Sequence, residues 1–251
     1  MPDPTPQNLD SLKASLINKL ARFIDLTAQE RIYLEEMQAE FLTIAAGADI
    51  VRAGQAYRCM YVLCRGMAIR YKILHDGRRQ VLNLILPGDF VGLPGCMFER
   101  SLYSISGLTK TVSCTLSFDT MFELFRRQPR LGAAIFWAAG HESALFAERL
   151  VGVGRQSAYE SVARLLLELL FRMQIAGLAD AASYTLPLTQ ELIADTLGLS
   201  VPHVNRTLRR LQEGGLIVRK GTRLTILDLP ALTQISDFDG VNLGRQRVPG
   251  L

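Results

Sequence analysis

Hydrophobic positions along the chain follow changing rhythms. Between residues 9 and 24, Leu9, Leu12, Leu16, Leu20 and Phe23 recur at spacings of three and four, which predicts an amphipathic helix behind a loose tail of residues 1–8. Thr27 and Glu30 make a capping box for a second short helix, to about Met37. From about Phe41 to Phe118 the rhythm shortens. Apolar runs broken by Gly, Asp and Pro (FLTIAAGADIVRAG, MYVLCRGMAIRYKI, RQVLNLILPGDFVG) predict many short strands in a barrel or sandwich. Asp76-Gly77 predicts a hairpin with a type I′ turn, and Gly47, Gly54, Gly66 and Gly88 stand where strands would turn.

Helical spacing then returns. Residues 119–128 read as a short helix, and Pro129 opens a long one to about Gly152, roughly 36 Å at 1.5 Å per residue. On it Leu131, Ala138 and Leu145 recur every seven residues, with Ile135 and Glu142 beside them. This impure heptad fits either a core helix or a dimer helix. Gly152-Val153-Gly154 reads as a hinge, Ser157 and Glu160 as another capping box, and the apolar stretch to about Ala176 as a further helix. GLADAASYT reads as a surface loop.

The stretch LPLTQELIADTLGLSVPHVNRTLRRLQEGGLIVRKGTRLTIL carries the chemistry. Thr189 caps a helix with Leu192, Ile193 and Leu197 facing inward, and Gly198 ends it. Ser200 caps the next helix, where Pro202 is tolerated in the first turn. Val204, Leu208 and Leu211 form its buried stripe, leaving His203, Asn205, Arg206, Arg209 and Arg210 on the other face. After Gly214-Gly215, LIVRK and LTIL read as the two strands of a wing. This is the pattern of a winged helix-turn-helix, whose second helix reads base edges from its N-terminal half. Arg can grip guanine and Asn adenine through paired hydrogen bonds. Six basic residues (Arg206, Arg209, Arg210, Arg219, Lys220, Arg223) stand against three acids (Glu191, Asp195, Glu213) between 187 and 226.

Composition narrows the classes further. The chain has 251 residues, is 49% hydrophobic and 21% charged, and carries a formal charge of +4. It can bury a sizeable core in one or two domains. Its start is polar and Pro-rich and no apolar run is long enough for a bilayer, so a cytoplasmic protein without membrane contact is expected. Cys59, Cys64, Cys96 and Cys114 are too few for a disulfide scaffold and are expected to be reduced thiols. The sequence shows no HExxH, no Ser/His/Asp arrangement and no phosphate-cradling Gly loop, which argues against an enzyme.

LTQELIADTLGLSVPHVNRTLRRLQEGGLI, together with AAGADIVRAGQ, MYVLCRGMAIRY and LILPGDFVG, resembles the Crp/Fnr superfamily of bacterial transcription regulators over nearly the whole chain. VPHVNRTL is similar to a subgroup common in alphaproteobacteria. The resemblance implies an α+β protein. Residues 1–128 would form a cyclic-nucleotide-binding-like β-roll with N-terminal helices, 129–153 a dimerisation helix, 154–236 a winged helix-turn-helix, and 237–251 a tail. The tail, rich in Gly and Arg, would be disordered or add a nonspecific DNA contact. It further implies a homodimer on a palindromic operator in double-stranded DNA, with RNA polymerase as a further partner. Ser200 and His203 match phosphate-contacting positions, Val201, Pro202, Asn205 and Arg206 match base-reading ones, and Arg209 is a further contact. Thr189, Gln190, Arg210 and Lys220 complete the expected DNA face. Leu131, Ile135, Ala138, Glu142 and Leu145 would line the dimer interface.

The sensor departs from the family. Gly92-Leu93 stands where a ribose-binding Gly-Glu pair would be, and Leu102-Tyr103 lies near the position of the phosphate-binding Arg-Ser/Thr pair. Arg100 is out of register. Leu84, Leu86, Val91, Gly92, Leu93, Leu102 and Tyr103 would then line an apolar effector pocket, and cAMP is not expected. No cysteine precedes Cys59, and Cys59 and Cys64 have opposite strand parity, which disfavours an iron–sulfur cluster. Pro94 near the position of a haem-ligating His disfavours haem, despite Pro2. His75 and His141 read as surface or interface residues, and Cys96 as an inert thiol. A second reading makes the chain a receptor whose β-roll takes a non-nucleotide small molecule or a redox signal that controls DNA binding.

Overall fold

Thr27 accepts a hydrogen bond from the Glu30 N–H at 3.2 Å, and the Glu30 carboxylate accepts one from the Thr27 N–H at 2.8 Å. That closed box starts α2 (Ala28–Met37), behind α1 (Pro6–Leu20). The computed structural model describes residues 6–56, 59–92, 98–185, 187–238, 240 and 247–248. Strands follow as β1 (Glu40–Ile44), β2 (Asp49–Val51), β3 (Cys59–Arg65), β4 (Ala68–Ile73), β5 (Arg79–Ile85), β6 (Phe90–Val91), β7 (Ser104–Gly107) and β8 (Thr111–Ser117). Next come α3 (Phe118–Arg127), α4 (Pro129–Arg155), α5 (Ala158–Ile175), β9 (Ser183–Thr185), α6 (Gln190–Leu197), α7 (Val201–Glu213), β10 (Ile217–Lys220), β11 (Arg223–Ile226) and α8 (Leu229–Ser236). Two compact units result: Met1–Lys72 with Leu82–Glu142 and Arg245–Leu251, and Ile73–Val81 with Ser143–Gly244. The division falls inside α4.

In the first unit the strands form two sheets, in the orders β1-β8-β3-β6 and β2-β7-β4-β5. The roll interior is filled by Val51, Leu63, Ala68, Ile85, Val91 and Ile105. A second cluster joins Leu12, Leu16, Leu20 and Phe23 of the N-terminal segment to Met60, Val62, Cys114 and Leu116, and to Leu131, Ala134, Ile135 and Ala138 of α4. Burial of such side chains contributes about 1.5–3 kcal/mol each.

Several local expectations need correction. Gly77 has φ +83°, but Asp76 does not have positive φ, so the hairpin is not type I′. The Leu74 N–H reaches the Arg78 carbonyl at 2.8 Å and the Gly77 N–H the Leu74 carbonyl at 3.0 Å, which is a three-residue loop ending in a left-handed glycine. The Gly152–Gly154 hinge is absent, because α4 stays helical to Arg155. Gly152 is buried, and its carbonyl accepts a hydrogen bond from the Ser161 hydroxyl at 3.3 Å. Its missing side chain lets the last turn of α4 sit against α5. The supposed loop GLADAASYT contains β9, which pairs with β11 and makes the wing three-stranded. Tyr184 of β9 is 1% exposed and donates to the Leu166 carbonyl at 2.9 Å.

The tail also differs from expectation where it is described. Val248 is buried in the second cluster of the first unit, and its N–H donates to the Phe23 carbonyl at 2.9 Å. Arg247 pairs with Asp25 at 2.7 Å. An apolar side chain directly after a run of polar ones gains more from that niche than from solvent.

Gly66, between β3 and β4, has φ +85°, and a Cβ there would lie 2.5 Å from the Lys110 carbonyl oxygen. Gly66→Ala is expected to destabilise the protein by about 1–3 kcal/mol or more through backbone strain, read as a lowered urea midpoint.

Candidate nucleic-acid interface

The helix-turn-helix is built by its caps. Thr189 accepts from the Leu192 N–H at 3.1 Å and starts α6. Gly198, at φ +67°, ends it in the left-handed conformation, and the Leu199 N–H returns to the Ala194 carbonyl at 3.0 Å. Ser200 then takes the N-cap position of α7 in extended backbone, and its hydroxyl makes no capping hydrogen bond. That hydroxyl and the open end of the helix can meet a phosphate oxygen.

Along α7 the two faces separate cleanly. Val204, Thr207, Leu208 and Leu211 are buried, whereas Val201, Pro202, His203, Asn205, Arg206, Arg209 and Arg210 are exposed. In α6, Leu192, Ile193 and Ala194 are buried, while Leu197 is only half-buried. Thr189 and Gln190 are exposed at its start. Lys220 is exposed at the end of β10, and Gly221, at φ +59°, makes the wing turn.

The cations are not equivalent. Arg206 has no ion-pair or hydrogen-bond partner among the described residues, so it is open to a base. Arg210 lies over the Tyr159 ring, 4.2 Å from its centroid, and that stacking holds it close to α5. Arg209 sits 3.5 Å from Glu213, both largely exposed, so the pairing is weak. Arg219 donates to the Gly221 carbonyl at 3.0 Å and Arg223 pairs with Asp180 at 2.6 Å, which stiffens the wing. Of the three acids in the motif, Asp195 is paired with Arg79 at 2.8 Å.

This geometry has known relatives. A model of the Crp-like helix-turn-helix domain matches residues 160–235, and one of the cyclic nucleotide-binding domain matches 41–128. The transcriptional activatory protein AadR of Rhodopseudomonas palustris is 34% identical over 171 residues, covering 67% of this chain and 70% of that protein. The chain belongs to the Crp/Fnr family of transcription regulators. The transcriptional activator protein FnrL of Cereibacter sphaeroides is 28% identical over 203 residues, 80% of this chain and 81% of its own. In fold, the chain matches the structure of FixK2 from Bradyrhizobium japonicum, with a TM-score of 0.72 at 23% identity over 80% of this chain and 98% of that one. As a Crp/Fnr member the chain is a DNA-binding regulator, of a class that is not enzymatic. No described helix is long and apolar enough to cross a membrane.

Two groups of expected residues are placed differently. Leu131, Ile135 and Ala138 are 0%, 3% and 4% exposed and pack into the chain's own core, so they cannot form a dimer face. Glu142 and Leu145 are half-buried. The apolar pocket does not assemble either. Ile85 faces the roll interior, so strand alternation turns Leu84, and beyond the strand Leu86, away from that cluster. Leu102 is 52% exposed. Val91 does lie in the interior with Tyr103 packed against it, and Gly92 is buried next to Val91. Leu93, Pro94 and Cys96 lie outside the described residues, as does Pro2.

What occupies the interior is Arg70 of β4, 1% exposed, its guanidinium 4.9 Å from the centroid of the Tyr103 ring. Sequence reading missed it, since an Arg in a strand reads as a solvent-facing position. Its one available signal was parity with Ala68. Arg70 is already faced from within the chain: the Glu142 carboxylate lies 3.4 Å from its Nη2, and the Tyr103 ring covers the guanidinium. Burial pushes the Cys64 and Cys114 thiols up to about 12, which leaves no reactive thiolate at either. Among the described residues no group of three or more His, Cys, Asp or Glu is placed to hold a metal ion.

Proposed function

We propose that the chain acts as a homodimer on a palindromic operator, with α7 in the major groove. Asn205 and Arg206 read bases, Val201 and Pro202 make apolar base contacts, and Ser200, His203, Thr189, Gln190 and Arg209 hold phosphates. Lys220 at the wing adds a further phosphate contact. The observation that carries this reading is the division of α7, with a fully buried stripe opposite an exposed N-terminal face bearing Arg206, which has no partner among the described residues. Selection from random duplex DNA by the purified protein tests it. A palindrome with half-sites about one helical turn apart is expected, and no enrichment by a folded dimer in the absence and presence of cellular extract would refute it.

The dimer face is reassigned to the other side of α4. Phe136, Gly140, Ser143, Ala147, Leu150 and Gly154 repeat at alternating four and three and are all exposed, with Phe136 at 71% and Leu150 at 75%. That is a coiled-coil seam, and its small central residues allow a second copy of α4 to approach closely. Leu150→Asp is expected to shift sedimentation from dimer to monomer at micromolar concentration without lowering helical content. Leu131→Ala is expected to lower the melting temperature and leave association intact.

A further inference from the structure

The inward stripe of α4 runs Leu131, Ile135, Ala138 and then Glu142. The first three are apolar and buried, and the fourth is an acid on the same face, half-buried within the first unit. A carboxylate at the end of an apolar stripe needs a partner. The roll supplies two from its inward positions. Asn83 of β5, 4% exposed and in parity with interior Ile85, donates its side-chain amide to Glu142 Oε1 at 3.0 Å. Arg70 of β4, in parity with interior Ala68, places Nη2 3.4 Å from the same oxygen. Tyr103 then closes over the guanidinium.

A buried guanidinium is expensive to desolvate, and an apolar residue of its volume would pack as well or better. What the polar version adds is direction. The Asn83 hydrogen bond supplies the direction and the Arg70 charge stands beside the same oxygen, so together they favour one rotation and one height of α4 against the roll. Rotation of α4 in turn decides which stripe faces its own core and which remains for a second copy.

We propose that the Arg70–Glu142–Asn83 bridge does inside this roll what a bound effector would otherwise do: it locks α4 in the DNA-competent orientation, so operator binding requires no small-molecule ligand in the roll. This rests on the reading of the chain as a dimeric operator-binding regulator. The lock would be invisible to a ligand search, because its parts belong to the chain.

The test is fluorescence anisotropy of the purified full-length protein on its selected palindrome, without ligand and with cAMP or cGMP added as probes. Wild type is expected to bind equally in all cases. Arg70→Met keeps volume and removes the charge. It is expected to lower the melting temperature, because Glu142 keeps only Asn83, and the protein that remains folded and dimeric is expected to lose about tenfold in operator affinity, within the usual range of couplings between distant sites. Glu142→Gln keeps the Asn83 bond and removes the ion pair, and the same direction is expected, so the test survives if one variant fails to fold. A folded dimeric Arg70→Met or Glu142→Gln protein with wild-type affinity would overturn the proposal, as would a wild type that binds only when a nucleotide is added. Failure of the underlying reading looks different: then wild type would show no preference for any palindrome, and Arg206→Ala would change nothing.

Discussion

Replacing Arg206 with alanine is expected to remove specific operator binding while leaving the fold untouched. A bidentate Arg–guanine contact contributes about 1–3 kcal/mol of discrimination. A symmetric dimer makes it twice, so the loss is about 2–6 kcal/mol across a palindrome. The fold is spared because Arg206 is exposed and has no partner among the described residues, while the packing of α7 rests on Val204, Leu208 and Leu211. Arg206→Lys discriminates further. It keeps the charge and loses the planar fork, so nonspecific binding should persist while sequence preference collapses. Titration against the selected palindrome and a scrambled duplex at two salt concentrations reads both effects. Equal affinity of Arg206→Ala and wild type for the palindrome would refute the assignment. His203→Ala, by contrast, should weaken both duplexes alike, as loss of a phosphate contact does.

The helix-turn-helix was legible because independent signals agree there. The cap at Thr189, an N-cap residue at Ser200, a left-handed glycine at 198 and stripe residues at spacings of four and three each point to the same geometry, and a different fold would have to break all of them. The roll was legible as many short strands but not as an interior. In VLNLIL nearly every position is apolar, so alternation does not say whether Leu84 or Ile85 faces inward, and Leu84 and Leu86 prove to be opposite in parity to the interior Ile85. Arg70 was hidden for a related reason: charge on a strand normally means solvent, and only a partner from α4, far along the chain, makes its burial tolerable. On α4 two stripes satisfy helical spacing. The one richer in large apolar residues proved to be the core face, and the stripe left outside carries Gly, Ser and Ala, which give little hydrophobic signal. β9 is three residues long, below the length at which periodicity carries information.

Glu168 carries the other large effect. It lies on α5, 4% exposed, with Arg149 on one side and Arg172 one turn along. Arg149 Nε donates to Oε2 at 3.1 Å while its Nη2 bonds Oε1, and Arg172 Nη1 reaches Oε1 at 3.2 Å. Burial by itself would raise the carboxyl, but the two guanidiniums, Arg149 foremost, more than reverse this and hold it at about 2. A folded-state value below the ordinary 4.5 means that the contribution is fully present above about pH 4.5 and is lost as pH falls toward 2. The shift corresponds to about 3 kcal/mol. Urea unfolding followed by α-helical circular dichroism between pH 5 and pH 2.5 should therefore show a midpoint that falls steadily for wild type. Glu168→Ala leaves Arg149 and Arg172 facing each other without a counter-ion, both largely buried, and is expected to lose about 3–5 kcal/mol at neutral pH. The same variant should flatten the acid dependence, since its titrating partner is gone. A variant that keeps the full wild-type slope would show that the acid lability arises elsewhere, and one as stable as wild type at pH 7 would show that the two arginines find solvent once the carboxylate is removed.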